Sequence, residues 1–517
     1  MLLPAPGDAT AAAGAQWLVG ARPGVASDRI AARFGAERLM DGTGIYAVGR
    51  SRARSFAAAL RSAGRLTFAE PPRRRVTRAA RPADAWRRVG AASLALPVDP
   101  LTARQWWLRA VVRGPLTRPV VTPASPILSV IDSQVDLTHP DVRGSGIFSA
   151  TRRRATVEHG TAVSTVAGAP DNGVGIVGVW PGMRISVHAT EDLTTPNIIR
   201  ALNATIGERA AAVNMSYGGE ESFAERIAQN RAFGSGVILV ASAGNEFDEG
   251  NPVEHPAADE HVLTVAAVGR TLRSSSFSNE GAGVDLSAPG QDILLGVPRA
   301  FDEDGRTDGY TELDGTSFSS PIVAAAVTWI RAARPELTTS QLFQLVRSSA
   351  RDLGDRGWDQ RFGFGLLDVR AALKAPAPSD DPLEPNDDIA WTAGRYLPVQ
   401  APIWQPGAPA ASFTARLDTI EDPSDVYRLV VAPGATARVT VRPRVGDVDL
   451  QVFGASATSV QREAGLIATS QRSGTATDTV TVRNTSPRPA TYYAAAYIDD
   501  GSKSLDAAYR LEAGAAG

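Results

Sequence analysis

The sequence predicts an α/β fold: a parallel sheet covered by helices on both faces, with a small α/β unit before it and a β-sandwich after it. Three observations carry this. In the middle of the chain, short runs rich in β-branched residues alternate with helical patterns. Two composition breaks bound that region: "EPPRRRVTRAARP" (70–82), rich in Pro and Arg, and "KAPAPSDDPLEPNDD" (374–388), a stiff, solvated linker. Beyond residue 383 the pattern changes to short alternating runs separated by turn residues.

The elements follow in chain order. Residues 15–72 form a small unit reading strand, helix, "YAV" strand, helix and a last strand ending in "EP". Residues 73–98 read as a linker, with the arginine run 73–75 either an accessible segment or a merely solvated one. The region 99–375 holds the strands "ILSVID" (127–132), "ISVHA" (185–189), "AVNMS" (212–216), "VILVAS" (237–242) and "VLTVAAV" (262–268). Between them "TPNIIRALNATIGERAA" is helical, with Thr195 as a cap and Pro196 in the first turn. After a second linker, 376–382, the tail 383–517 supplies "DVYRLVV", "ARVTVRP", "DVDLQVFG" and "DTVTVRN", the strands of a sandwich.

Composition narrows the function classes. A chain of 517 residues is too long for one core. A formal charge of -2 offers no counter-charge to a polyanion, which argues against a nucleic-acid partner. With no cysteine there is no disulfide, thiolate metal site or cysteine nucleophile. No stretch approaches the roughly 18 consecutive apolar residues of a membrane span. The opening "MLLPAPGDATAAAGAQ" does not read as a complete signal peptide.

Four residues carry a possible chemistry. Asp132 closes an apolar run, so it should stand at the carboxyl end of a central strand, the edge where open parallel sheets place active groups. His159 precedes Gly-Thr and a small-residue helix, Asn245 leaves the strand in "ASAGNE", and Ser317 opens the apolar helix "TSFSSPIVAAAVTWIRAA". Alone, each has a bland reading: a turn cap, a packed histidine, a turn asparagine, a helix N-cap. Together they are the parts of an activated hydroxyl. A serine is a poor nucleophile near neutral pH and needs a base, histidine titrates in the right range, and a buried carboxylate fixes its tautomer. Asn245 and the Ser317 backbone N–H would receive the developing oxyanion. Ser319 and Ser320, inside the first turn, should point elsewhere.

The boxes "VIDSQVDLTHPD" (130–141), "HGTAVSTVAG" (159–168) and "GTSFSSP" (315–321) resemble the subtilisin-like serine peptidases, the subtilases. Their order Asp, His, Ser is the one known for subtilisin. "NMSYGG", "SAGN", "FSNEGAGVDLSAPG" and "GFGLLDVRAAL" extend the resemblance over roughly residues 99–375. It implies a three-layer subtilisin-like domain, a triad of Asp132, His159 and Ser317, and an oxyanion donor in Asn245. It implies that Ser216, Tyr217, Gly218 and Gly219 pair with an extended polypeptide substrate. The same strand and Ala241, Ser242, Ala243 and Gly244 would wall the pocket for the residue before the cut, giving a broad, apolar-leaning preference. It implies a structural Ca²⁺ held by Asp141, Asn172 and the carbonyls of Pro170, Val174 and Ile176, with Asp99 or Gln105 completing the set.

The chain departs from the family pattern at three places. Gln134 replaces a usual glycine after "DS", Ala162 a frequent second histidine, and His255 an aromatic before "PA". Residues 15–72 resemble the family's I9-type propeptide, which acts as folding aid and intramolecular inhibitor and is cut away between about 72 and 100. The tail resembles the pre-peptidase C-terminal domain, in which Asp447 and Asp449 bind calcium or shape a turn. The implied whole is a secreted, monomeric serine endopeptidase made as a zymogen. The alternative is a catalytically silent protein that keeps the fold for binding.

Overall fold

The computed structural model describes residues 16–77, 99–151, 153–190, 192–419, 421–462, 464–498 and 506–516. Most of the stretch in which a maturation cut is expected, and the opening residues, therefore lie outside the described residues. Two compact units divide the chain, residues 73–378 and a second made of residues 1–72 with 379–517.

The first segment runs β1 (Gln16–Ala21), α1 (Val25–Arg33), β2 (Glu37–Arg38), β3 (Ile45–Gly49), α2 (Arg50–Ser62) and β4 (Leu66–Glu70). Its strands form one antiparallel sheet in the order β2-β3-β1-β4. Val19, Tyr46, Val48, Phe56 and Leu60 form its core, with the Tyr46 and Phe56 rings edge to face. The helix α2 buries Ala53, Phe56, Ala57 and Leu60, the i, i+3, i+4, i+7 stripe that a helix needs to dock on a sheet.

In residues 73–378 the elements are α3 (Trp106–Val111), β5 (Ile127–Asp132), β6 (Ile147–Ser149), α4 (His159–Gly168), β7 (Arg184–Ala189), α5 (Thr195–Gly207), β8 (Ala212–Met215), α6 (Phe223–Phe233), β9 (Ile238–Ser242), β10 (Val262–Val268), β11 (Leu286–Pro289), β12 (Ile293–Gly296), β13 (Tyr310–Leu313), α7 (Thr316–Ala333), α8 (Thr339–Ser348) and α9 (Val369–Lys374). Seven strands make one sheet, β11-β10-β9-β8-β5-β7-β6, in which every pairing is parallel. Helices α4 and α7 pack together and against the sheet, while α5 and α6 pack together and touch β5 and β9. The continuous burial of β5, β8, β9 and β10 is what a sheet covered on both faces requires. Trp107, Trp180 and Trp329 are its largest wholly buried apolar side chains. From β5 the chain proceeds to β7 on one side and then to β8 on the other, so the strand order reverses at β5. Such a switch point opens a crevice at the carboxyl ends of the strands.

The last segment holds α10 (Ile389–Thr392), β14 (Ala411–Asp418), β15 (Ser424–Val431), β16 (Thr436–Val445), β17 (Val448–Gly454), β18 (Leu466–Ser470), β19 (Asp478–Arg483), β20 (Ala490–Ile498) and β21 (Asp506–Ala515). Two four-stranded antiparallel sheets, β14-β21-β16-β19 and β15-β20-β17-β18, share one apolar core. Inside it the hydroxyls of Tyr427 and Tyr509 lie 2.8 Å apart, and Tyr509 donates to Asp425 at 2.5 Å. No helix among the described residues is long and apolar enough to cross a membrane.

Candidate active site

Three elements bring three of the four predicted residues to the switch point, and Asn245 follows the end of β9. Asp132 ends β5, His159 begins α4 and Ser317 is the second residue of α7. Gly315 caps α7, so Ser317 is not the N-cap; its own N–H falls in the first turn, where helices leave donors without an intrahelical acceptor. Asp132 is fully buried, and both of its carboxylate oxygens lie 2.9 Å from His159 Nδ1. Asp132 Oδ1 also accepts from the Ser133 N–H at 2.7 Å and the Ser133 hydroxyl at 3.2 Å. Ser133 Oγ in turn accepts from the Gly160 N–H at 2.9 Å, which ties the start of α4 to the end of β5. Gly160 has to be glycine, because a methyl group there would collide with the Ser133 carbonyl.

Burial opposes charge on the imidazole, but the Asp132 carboxylate, its hydrogen bond and Glu158 outweigh it and raise the His159 pKa above its ordinary value. Nδ1 carries the proton, since its partner is a carboxylate, so Nε2 is the basic nitrogen. Nε2 is buried and makes no hydrogen bond in this structure, so a short bond to Ser317 Oγ is not formed. The ring does pack on Phe318, the neighbour of Ser317, with centroids 6.0 Å apart. Catalytic bonds of this kind are often long without substrate.

Asn245 is fixed by its acceptor end: Oδ1 receives the Thr316 N–H and hydroxyl, each at 2.9 Å. Its donor end is therefore Nδ2, as an oxyanion role requires. Behind Ser317, Ser216 Oγ donates to the Ser317 carbonyl at 2.8 Å, Asn214 Nδ2 donates to Ser216 Oγ at 2.9 Å, and Ser320 Oγ donates to Asn214 Oδ1 at 2.7 Å. Ser319 donates to the carbonyls of Ala288 and Pro289. Both serines thus serve structure.

The predicted cleft residues divide. Tyr217, Gly218, Ser242 and Gly244 line one small cavity together with Asn245 and Ser317. Ala241 lies inside β9 and Ala243 packs with Ala266 and Val284, so neither borders that cavity. Its wall includes Glu246 and Glu254, which the apolar-leaning expectation did not include. The arginine run is not simply solvated or accessible: Arg75 is 1% exposed and paired with Glu225. Thr195 is the first residue of α5 rather than its cap, and its hydroxyl accepts the Arg73 N–H.

The departures from the family pattern are accommodated. Gln134 is buried and donates to the Val135 carbonyl at 3.0 Å, and the Thr151 hydroxyl bonds to its Oε1, so it leaves the turn of Asp132 intact. Ala162 is packed inside α4, and His255 Nδ1 pairs with Asp259 at 2.7 Å.

Two acidic places could hold a cation. Asp141 is fully buried; its Oδ2 accepts the Ile176 N–H at 3.1 Å, while Oδ1 has no hydrogen-bond partner. Burial pushes its pKa up to about 6. Asn172 Oδ1 accepts from Val174 N–H at 3.0 Å, and Asp99 accepts the N–H groups of Asn172 and Gly173. Gln105 also reaches this loop, its Nε2 donating to the Val177 carbonyl and its Oε1 accepting the Val177 N–H. An orphaned buried carboxylate oxygen among hard oxygen donors fits Ca²⁺. In the tail, Asp381, Glu384, Asp422 and Asp425 converge so that one carboxylate oxygen from each lies within 4.8 Å of the others. Burial and mutual repulsion raise all four pKa values. That cluster lies apart in sequence from Asp447 and Asp449, the residues singled out there from sequence.

The Subtilase family model, peptidase S8, matches residues 124–365. Over 260 residues the chain is 31% identical to subtilisin DY of Bacillus licheniformis, a match taking in 48% of this chain and 90% of that protein. The chain belongs to the subtilase family. The family is one of serine-type endopeptidases. This subtilase is also 33% identical over 253 residues to the minor extracellular protease Epr of Bacillus subtilis (strain 168), covering 47% of this chain but only 38% of Epr. With fervidolysin of Fervidobacterium pennivorans it shares 30% identity over 297 residues, or 42% of that protein. The crystal structure of fervidolysin, described as a keratinolytic enzyme related to subtilisin, aligns with 90% of this chain and 85% of its own at a TM-score of 0.58. At 19% identity that likeness is one of fold.

Proposed function

We propose that this subtilase is an extracellular, monomeric serine endopeptidase made as a zymogen, and that Ser317, His159, Asp132 and Asn245 carry its chemistry. Ser317 Oγ adds to a peptide carbonyl as its proton passes to His159 Nε2. Asp132 holds the Nδ1–H and stabilises the imidazolium. The carbonyl oxygen takes up negative charge facing Asn245 Nδ2 and the Ser317 N–H. Collapse sends the His159 proton to the leaving amine and leaves an acyl-serine, which water then hydrolyses by the same steps.

The observation that carries this reading is the buried Asp132–His159 pair, 2.9 Å at both oxygens, set at the strand-order reversal beside the start of α7. The zymogen reading is supported by residues 73–76, in which Arg74 bridges to Thr194 and Val76 to Gly218. Ca²⁺ would be held by Asp141, Asn172, Asp99 and the carbonyls of Pro170, Val174 and Ile176, where it would neutralise buried carboxylates and brace the loop. The tail, read as a pre-peptidase C-terminal domain, would bring its own cation site at Asp381, Glu384, Asp422 and Asp425.

A fluorophosphonate tests the proposal directly. The processed protein should be labelled at Ser317, hydrolyse casein, and lose both properties as Ser317→Ala. A folded sample that neither labels nor cleaves would instead be the silent binding protein.

A further inference from the structure

Residues 73–76 lie extended between two stretches of the catalytic unit. On one side the Arg75 N–H donates to the Leu193 carbonyl at 2.9 Å, and the Thr195 N–H to the Arg73 carbonyl at 2.9 Å. On the other, Val76 and Gly218 exchange both N–H···O bonds at 3.0 Å. This is the bonding pattern of strand addition, in which main-chain bonds hold any sequence and side-chain pockets choose among sequences. Val76 borders the same cavity as Asn245 and Ser317.

The pocket that chooses here is built for one group. Arg75 reaches α6, where Glu225 Oε2 accepts from Nε at 3.1 Å and from Nη2 at 2.7 Å, and Nη1 donates to the Glu220 carbonyl. Both side chains of the pair are wholly buried. Gly219 flanks the guanidinium, which sits 3.3 Å from where a methyl group on that residue would stand. When the strand leaves after processing, Glu225 remains on α6. A carboxylate with that much desolvation asks for a cation, and the fork of acceptors suits a guanidinium better than an ammonium. The negative wall continues toward the nucleophile. Glu246 and Glu254 line the cavity beside Ser317, and a methyl group on Gly218 would collide with the Glu254 carboxylate, so that charge lies against the substrate strand itself.

We propose that this subtilase selects polypeptides with arginine at a fixed position ahead of the cut, that Glu225 is the specificity-determining residue, and that residues 73–76 are the built-in occupant of the pocket. The inference rests on Ser317 being the nucleophile. The test profiles cleavage by the processed enzyme in a peptide library and then measures kcat/KM on acyl-Arg-Val-Thr-Arg-aminocoumarin, which copies the sequence Arg75–Arg78. The first arginine is replaced in turn by citrulline, its neutral isostere, and by lysine.

The library should show arginine enriched at one upstream position. Citrulline should lower kcat/KM by about 30-fold or more, the size of effect when one partner of a buried charge pair is neutralised, and lysine should fall between. Glu225→Gln should erase the difference between arginine and citrulline. If that variant does not fold, the arginine–citrulline comparison on the unmodified enzyme decides alone. Citrulline accepted within about twofold of arginine, a difference near RT, or no arginine enrichment, overturns the selectivity. Casein hydrolysis and Ser317 labelling would then still stand, which separates this failure from failure of the peptidase reading. An enzyme that cleaves neither casein nor any peptide overturns both.

Discussion

Replacing Asn245 separates its two roles. Its Oδ1 takes two hydrogen bonds from Thr316, whose own hydroxyl accepts the Gly244 N–H at 3.2 Å, so the side chain anchors the entry to α7, while in the proposed mechanism its Nδ2 would face the oxyanion. Asn245→Ala deletes both. It orphans the N–H of a fully buried residue, which costs about 1–3 kcal/mol of stability. It also removes one transition-state donor, and the expected fall in kcat is about 10²–10³, a range taken over from a subtilisin that lost such a donor. Asn245→Asp keeps the acceptor for Thr316 but puts a carboxylate where negative charge develops, so it should retain stability and lose at least as much kcat. The assay is kcat and KM on a peptide amide, with melting measured in a Ser317→Ala background to prevent self-digestion. KM should change by less than about threefold in both variants, because the donor acts on the transition state rather than the bound substrate. A raised KM with kcat intact, or an Asn245→Asp enzyme of normal kcat, would refute the reasoning.

Three further outcomes follow from the same geometry. Catalysis needs neutral His159, whose pKa is raised, so the acid limb of kcat/KM should fall above pH 6.5, the ordinary imidazole value, with a plateau on the alkaline side; a limb below that value would mean the Asp132 pair does not outweigh burial. The sign for stability is opposite: the charged pair stabilises fully below the ordinary value, and its contribution is lost as pH rises through the raised one. Removing divalent cations with a chelator should lower Tm, Ca²⁺ should restore it better than Mg²⁺, and Asp141→Asn should shrink the restoration; calorimetry reads all three. Gly160→Ala should lower both kcat and Tm even though alanine gains about 1 kcal/mol in helix propensity over glycine, because the methyl meets the Ser133 carbonyl; an unchanged enzyme would show that the β5–α4 junction yields freely.

How much of this was legible in the sequence depended on the range of the interaction. The parallel sheet was readable because strands buried on both faces are continuous apolar runs, as "ILSVID" and "VLTVAAV" are. The candidate site was visible as a pattern because its four residues stand where strands end and helices begin, places marked by Gly, Ser and Thr. The charged side of the cleft was not. Arg75 and Glu225 are 150 residues apart, and nothing local distinguishes Arg75 from Arg73 and Arg74 in the same run. Only the register of an added strand decides which of the three turns inward. Glu254 was hidden for a different reason. Its effect arises from the missing side chain of Gly218, and an absence in one segment gives no sign of the carboxylate that will lie against it.

Asp132 and His159, the pair that the proposed mechanism keeps in register, also lead into the same acidic loop. From Asp132 the chain runs through Ser133 to Asp141, and from His159 through α4 to Asn172 and Ile176; the two paths meet where Asp141 Oδ2 accepts the Ile176 N–H. At their origins they are joined by Ser133 Oγ and the Gly160 N–H, as well as by the Asp132–His159 pair itself. The closed circuit thus has a catalytic end and an acidic end, and each limits how far the other can open. A buried carboxylate oxygen without a partner is the weak point of that circuit, because its charge favours separation of the very segments that hold the imidazole. A cation placed there would act on catalysis only through geometry, by keeping the β5 and α4 ends from drifting apart. Its removal should therefore be felt first as a widening between Nδ1 and the Asp132 carboxylate, before the sheet itself, whose central strands are buried on both faces, gives way.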